Sequence, residues 1–261
     1  MKKSLFSDQV KKQLIPWLLP ILILIIWQLL SSKGILSTKI LPVPSDVVMA
    51  GVELIRSGEL FQHLLISFKR AIIGFLIGGS IGLFLGLING LFPIADRIFD
   101  TTIQMVRNIP HLAMIPLVIL WFGIGEEAKV FLVAAGVLFP IYVNTLHGIR
   151  SVDQGLIEMG RVYGLRSWLL FWQVVLPGAL PSILVGVRYA LGIMWLTLIV
   201  AETISADSGI GYMAMNAREF MQTDVVLLSI LLYALFGKIA DSMAKWLERK
   251  CLNWNPNYQN L

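Results

Sequence analysis

Residues 158–177 read EMGRVYGLRSWLLFWQVVLP. They lie between two long apolar runs. Arg161 and Arg166 sit inside the stretch and Arg150 just upstream. Gly164 can end a helix, because a residue without a Cβ enters the left-handed region without a clash. Pro177 can open the next helix, because a first-turn residue needs no N–H donor. The order predicts a short helix, a glycine turn, a second short helix and a proline-started membrane helix. Placed on the cytoplasmic face, such a module offers a grip to a soluble partner. An ordinary connecting loop between spans fits the spacing equally well.

Working outward, the composition fixes the class. Of 261 residues, 57% are hydrophobic and only 14% charged, against roughly 25% charged in a soluble domain. Apolar runs near twenty residues recur, each long enough for a ~30 Å hydrocarbon core. The reading is an all-α polytopic membrane protein. The net charge of +5 needs no nucleic acid, since cytoplasmic loops account for a basic excess. Cys251 is the single cysteine, so no internal disulfide exists. An unmodified thiol there is simpler than lipidation.

About six spans are expected: 16–30, 63–89, 98–122, 130–149, 179–203 and 225–244. Lys2, Lys3, Lys11 and Lys12 before the first imitate a secretory signal, but no small-x-small site follows, so that span is read as uncleaved. LPVPSDVV (41–48) predicts an amphipathic helix to about Arg56, capped by Ser45 or Asp46, outside or on the interface. Three regions follow: 1–59, a membrane helix and an outer segment; 60–244, the main membrane body with a loop at 150–177; and 245–261, a tail. Most of the 21 lysines and arginines then share one side with both chain ends, which places the termini in the cytoplasm. Lys69 and Arg70 run against that count, and snorkelling or an interfacial position would accommodate them.

Several spans carry unusual residues. Gly74, Gly78, Gly82, Gly86 and Gly90 recur every fourth position, a stripe that lets another backbone approach. Close helix packing is the plain reading; a helix sliding in a pore is the alternative. RNIPHLAMIP (107–116) interrupts the third span, because each proline lacks a donor. Broken helices persist at membrane depth only against protein or a cavity, so this element is a candidate pore lining. Arg188 lies ~16 Å into its span at 1.5 Å per residue. An intramembrane arginine is a site hypothesis: Arg188 and Arg107 could attract an anion, or Arg188 could be paired structurally.

Other chemistry is missing. No G-x-x-x-x-G-K-[ST] occurs, so the chain has no recognisable ATP site. Gly209 and Gly211 follow no strand and lack a third glycine. His63, His111 and His147 are scattered without metal spacing, and packing is the simpler role for His111. No catalytic set or metal site is read, and no cofactor in this chain.

Glu158, Met159, Gly160, Gly164, Val174, Leu176 and Pro177 stand at the spacing of the EAA loop of ABC importer permeases, which the stretch resembles. Met159 and Gly160 depart from the family's two alanines. Nearly the whole chain, roughly 13–258, is similar to aliphatic sulfonate permeases of ABC transporters. The likeness is carried by ILPVPSDV, QMVRNIPHLAMIPLVILWFGIGEEAKVFLVA, FPIYVNTLHGIR, TLIVAETISADSGIGYMAMNAREFMQTD and WNPNY. The resemblance implies a type I ABC importer permease fold in the bacterial cytoplasmic membrane. It implies a non-catalytic homodimer in membrane lipid, with two ATP-binding subunits that hold ATP and Mg and an extracytoplasmic solute-binding protein. The seven loop residues would transmit the ATPase motion, and aliphatic sulfonates would be the cargo. Taurine, nitrate or a thiamine precursor is the neighbouring alternative. An ATP-independent channel or carrier is the alternative from another class, but inverted repeats and a midplane acidic relay are not visible.

Overall fold

A computed structural model describes residues 2–37 and 41–255. Ile40 and residues 256–258, which belong to two of the family-like segments, lie outside the described residues, as does the tail to 261. Among the described residues the regular structure is helical. The chain divides into two compact units, Met1–Gln62 with Met213–Leu231, and His63–Tyr212 with Leu232–Leu261.

In the first unit, α1 (Lys2–Ser32) is followed by α2 (Pro44–Ser57). The α2 cap differs from expectation. Val43 is the N-cap, Pro44 occupies the first turn, and no side chain caps the helix. A proline there has its φ preset and no donor to satisfy. Ser45 and Asp46 therefore fall inside the helix, where Asp46 complements the positive end of the dipole. The helix ends at Gly58 with φ 82°. Gly51 packs against Leu228 at the start of α11 (Thr223–Cys251).

The second unit is built on α3 (Glu59–Leu91), α6 (Glu126–Arg150), α9 (Leu176–Ser205) and α11. Along α3 the five-glycine stripe meets α6 throughout. Cβ atoms at Gly74, Gly78, Gly82, Gly86 and Gly90 would meet Val133, Ala134, Leu138, Thr145 and Ile149. The i±4 ridge of a helix is inclined about −26° to its axis, so a partner crossing along the ridge keeps every glycine in contact. The stripe is a packing seam, not a sliding surface. Both numbers rise together, so α3 and α6 run parallel.

That direction decides the broken segment. α4 (Pro93–Arg107) and α5 (Ile115–Phe122) are joined through a 3-10 turn, His111–Met114, and bend by 76°. α4 starts beside the end of α6, where Asp96 pairs with Arg150. α5 ends beside the start of α6. The bent pair therefore crosses from one end of the bundle to the other. Ile115 and Val118 bury it against Ala128, Leu132 and Ala201. α9 returns antiparallel to α6: Gly148 meets Ala179, Gly186 meets Asn144, and Gly136 meets Thr197.

Four helices are long and apolar enough to cross a membrane, and the bent pair makes a fifth. The first expected span, 16–30, corresponds to the end of α1, where the apolar helix Leu18–Ser32 is shorter than these. Residues 93–97, which lie between the second and third expected spans, form the first part of α4, with Phe92 as its extended N-cap. Pro93 at N1 starts the helix immediately.

Candidate functional site

The stretch 158–177 folds as a helical hairpin. α7 (Gln154–Val162) is capped by Asp153, whose carboxylate accepts from the Gly155 N–H at 2.8 Å. It ends in a Schellman motif. The Leu165 N–H donates to the Gly160 carbonyl at 3.0 Å, and the Gly164 N–H to the Arg161 carbonyl at 2.9 Å. Gly164 has φ +79°, the conformation this turn requires. α8 (Ser167–Leu170) follows, then a π-helical turn, Phe171–Val175, which runs into α9 with Pro177 in its first turn.

The hairpin gathers all seven sequence-predicted loop residues. Gly160 is buried: a Cβ there would lie 2.7 Å from Leu170 and 3.6 Å from Val174. So the glycine at the family's second alanine position closes α7 onto α8. Glu158 and Met159 face outward. Leu176 and Pro177 begin α9, while Val175 joins Ile149, Val152, Ala179 and Ile183 in the core beneath. Two residues that sequence reasoning passed over stand at the tip. Val162 is 86% exposed and Tyr163 79%. Their position directly before the turn glycine is the signal that could have found them. Trp168 and Trp172 meet edge to face, with ring centroids 5.6 Å apart, and both are exposed. Such side chains favour the membrane–water interface.

The opposite end of the bundle holds a buried ion network. Arg70, with 1% exposure, is enclosed by protein and does not snorkel. Its five N–H donors are all engaged. Nε and Nη2 donate to Glu126 at 2.7 and 2.5 Å, Nη1 to Glu202 at 2.8 Å, and Nη1 and Nη2 to the Ser208 carbonyl and hydroxyl at 2.6 and 3.0 Å. Glu202 also accepts from the Ser67 hydroxyl at 2.8 Å, the Gly211 N–H at 2.9 Å and the Tyr233 hydroxyl at 3.0 Å. Lys129 stands 3.6 Å from Glu126, so two cations balance two carboxylates. Gly209, with φ +111°, and Gly211 lie where any Cβ would collide with Glu202. These glycines let the backbone close on a carboxylate and hold no nucleotide phosphate.

Between these ends, the broken helix faces an open cavity of about 480 Å³ lined by Arg107, His111, Asn144 and Tyr189. His111 Nε2 is 3.0 Å from the Thr197 hydroxyl, across the gap left by Gly136. Asn144 donates to the Pro140 carbonyl at 2.8 Å. Arg107 has no ion-pair or hydrogen-bond partner among the described residues. Arg188, the other arginine singled out from the sequence, lines an adjoining cavity of about 510 Å³. Its Nε donates to Asp241 at 2.7 Å, and Glu248 lies 3.9 Å from Nη1. The two arginines are thus brought to neighbouring cavities on one flank of α9, one charge-balanced and one not. No cluster of three metal-ligating side chains occurs among the described residues.

A polytopic helical bundle with an exposed helical hairpin at one end fits the membrane component of a transport system. The chain belongs to the family described as binding-protein-dependent transport system inner membrane component, whose model matches residues 74–253. It is 67% identical, over 97% of both chains, to an Escherichia coli K12 protein named as aliphatic sulfonates transport permease protein SsuC. A Bacillus subtilis protein of the same name is 47% identical over 93% of this chain and 88% of its own. The fold resembles that in the crystal structure of an amino acid ABC transporter with histidines. There the TM-score is 0.62 at 18% identity, with 76% of this chain and 97% of that one covered.

Proposed function

We propose that this chain imports aliphatic sulfonates across the cytoplasmic membrane as one half of a homodimeric permease. Two ATP-hydrolysing subunits bind ATP and Mg and dock on the hairpins, and an extracytoplasmic solute-binding protein delivers the substrate. The chain itself catalyses no reaction. The hairpin and both termini lie on the cytoplasmic side. The observation that carries the reading is the well-capped hairpin with an apolar tip at Val162 and Tyr163, left uncovered by the other described residues. An exposed apolar tip on a well-capped turn is an anchor for a partner's pocket. Motion of the partner then reaches α9 through the π-helical turn. The sulfonate cargo is supported by the two relatives' names and their near full-length identity.

Two experiments test this. A strain lacking the chain and any redundant transporter should fail to grow on alkanesulfonates as sole sulfur source and grow normally on sulfate. Normal growth on alkanesulfonates would remove the cargo assignment. Gly164→Val tests the coupling. No neighbour lies within 4 Å of a Cβ at Gly164, so the cost is purely conformational. A left-handed residue costs roughly 1–2 kcal/mol when it carries a Cβ, more if β-branched, and least for asparagine. ATP-driven uptake should fall about tenfold or more in Gly164→Val at unchanged membrane level, while Gly164→Asn keeps most of it. Normal uptake by Gly164→Val would refute the coupling role. Uptake that survives ATP depletion would instead favour a carrier.

A further inference from the structure

We infer that the cavity at the break in the α4–α5 span is a binding site within the permease for the sulfonate head group, with Arg107 as its principal anion contact; this rests on the sulfonate reading above. Arg107 ends α4, fourteen residues after Pro93 and so roughly 21 Å along the helix at 1.5 Å per residue. The cavity it lines is walled by Gly136, Pro140 and Asn144 from the middle of α6, and a guanidinium at mid-span cannot face hydrocarbon without large cost. It is exposed, lines an open cavity, and has no partner among the described residues. Arg70, by contrast, spends every donor within the chain, and Arg188 is held by Asp241. Arg107 is therefore the cation of this cavity, and its charge is left for a ligand.

The rest of the cavity fits the same ligand. A sulfonate presents three equivalent oxygens and stays ionised at any physiological pH. It needs N–H and O–H donors and no acceptor. The Asn144 amide nitrogen has two N–H bonds and gives one to Pro140. The Tyr189 hydroxyl lines the cavity and has no partner among the described residues. No carboxylate lines this cavity, whereas Asp241 lines the neighbouring one. Phe139 and Ile193 supply an apolar wall for the alkyl group. The volume of about 480 Å³ is within the usual ~300–1,000 Å³ of small-molecule sites. An organic anion with a short apolar tail matches both halves.

The test uses the complete transporter, with ATPase subunits and binding protein, in proteoliposomes. Uptake of a series of linear alkanesulfonates is measured for the wild type, Arg107→Gln, Arg107→Lys and Ile193→Phe. Arg107→Gln should lower uptake about 10- to 100-fold, the loss of a charge-assisted contact. Arg107→Lys should restore part of it, which a merely structural role would not. Ile193→Phe should shift preference toward shorter chains without abolishing uptake. Direct binding of radiolabelled alkanesulfonate to the permease–ATPase complex without binding protein should be lost in Arg107→Gln. Wild-type uptake with Arg107→Gln equal to wild type in both uptake and binding overturns the site. A wild type that imports no alkanesulfonate overturns the cargo reading instead, so the two failures are distinct.

Discussion

Replacing Arg70 by leucine should leave little folded protein in the membrane. The substitution strips Glu202 of its cation while the carboxylate stays enclosed, at 0% side-chain exposure. Breaking a buried ion pair from one side costs about 3–5 kcal/mol, because the remaining charge is uncompensated. That is a large part of a stability of roughly 5–15 kcal/mol. The Ser208 carbonyl and Glu126 lose donors as well. The connection from α9 to α10 (Ile210–Glu219), which Arg70 pins over the end of the bundle, would be released. The companion variant Arg70→Leu with Glu202→Gln separates charge from packing. The amide removes the orphaned negative charge, so the double variant should recover a measurable share of the lost protein. Membrane-inserted yield and the thermal midpoint in detergent report both effects. A wild-type yield for Arg70→Leu alone would show that the network contributes no stability.

The second large effect is expected at the glycine seam. A Cβ at Gly78 would sit within 2.8 Å of the Ala134 carbonyl carbon and Cα. Backbone atoms cannot swing aside as a side chain would, so α3 and α6 would have to separate. Overpacking typically costs about 1–3 kcal/mol where side chains can adjust, and more is expected here. Gly78→Val should therefore cut the yield of assembled protein severely. Gly237→Ala is the matching control, because no atom lies within 4 Å of its added Cβ. Alanine there should be neutral or stabilise by up to about 1 kcal/mol through helix propensity. Equal yields of the two variants would contradict the seam.

The local grammar of the chain was readable from sequence. Gly164 and Pro177 announce the hairpin because backbone freedom and a missing donor act within a few residues. The prolines of 107–116 announce the broken span for the same reason, and the four-residue glycine period announces close packing. Pairings across space were not readable. Arg70 and Glu202 are 132 residues apart, and nothing local tells which helix lies opposite. Lys69 and Arg70 looked alike in a count of charges, yet adjacent helix positions point ~100° apart, and only Arg70 faces the bundle. A hint was present all the same. α9 holds one acidic residue, Glu202, and α3 carries a basic pair, and intramembrane charges of opposite sign tend to find each other. Arg188 shows the same limit: its partner Asp241 comes from α11.

The unbroken helical run from Ser167 to Ile204 spans 38 residues. The hairpin's second limb and the transmembrane rod are one continuous helix. The azimuth at which the hairpin presents Val162 and Tyr163 is therefore geared to the azimuth at which Tyr189 faces the cavity. Each residue on an α-helix advances the phase by ~100°, and the π-helical turn at Phe171–Val175 offsets it once more. The spacing between turn glycine and cavity wall thus works as a gear ratio. An insertion or deletion of one residue there would turn one end against the other, although every side chain at both ends were kept.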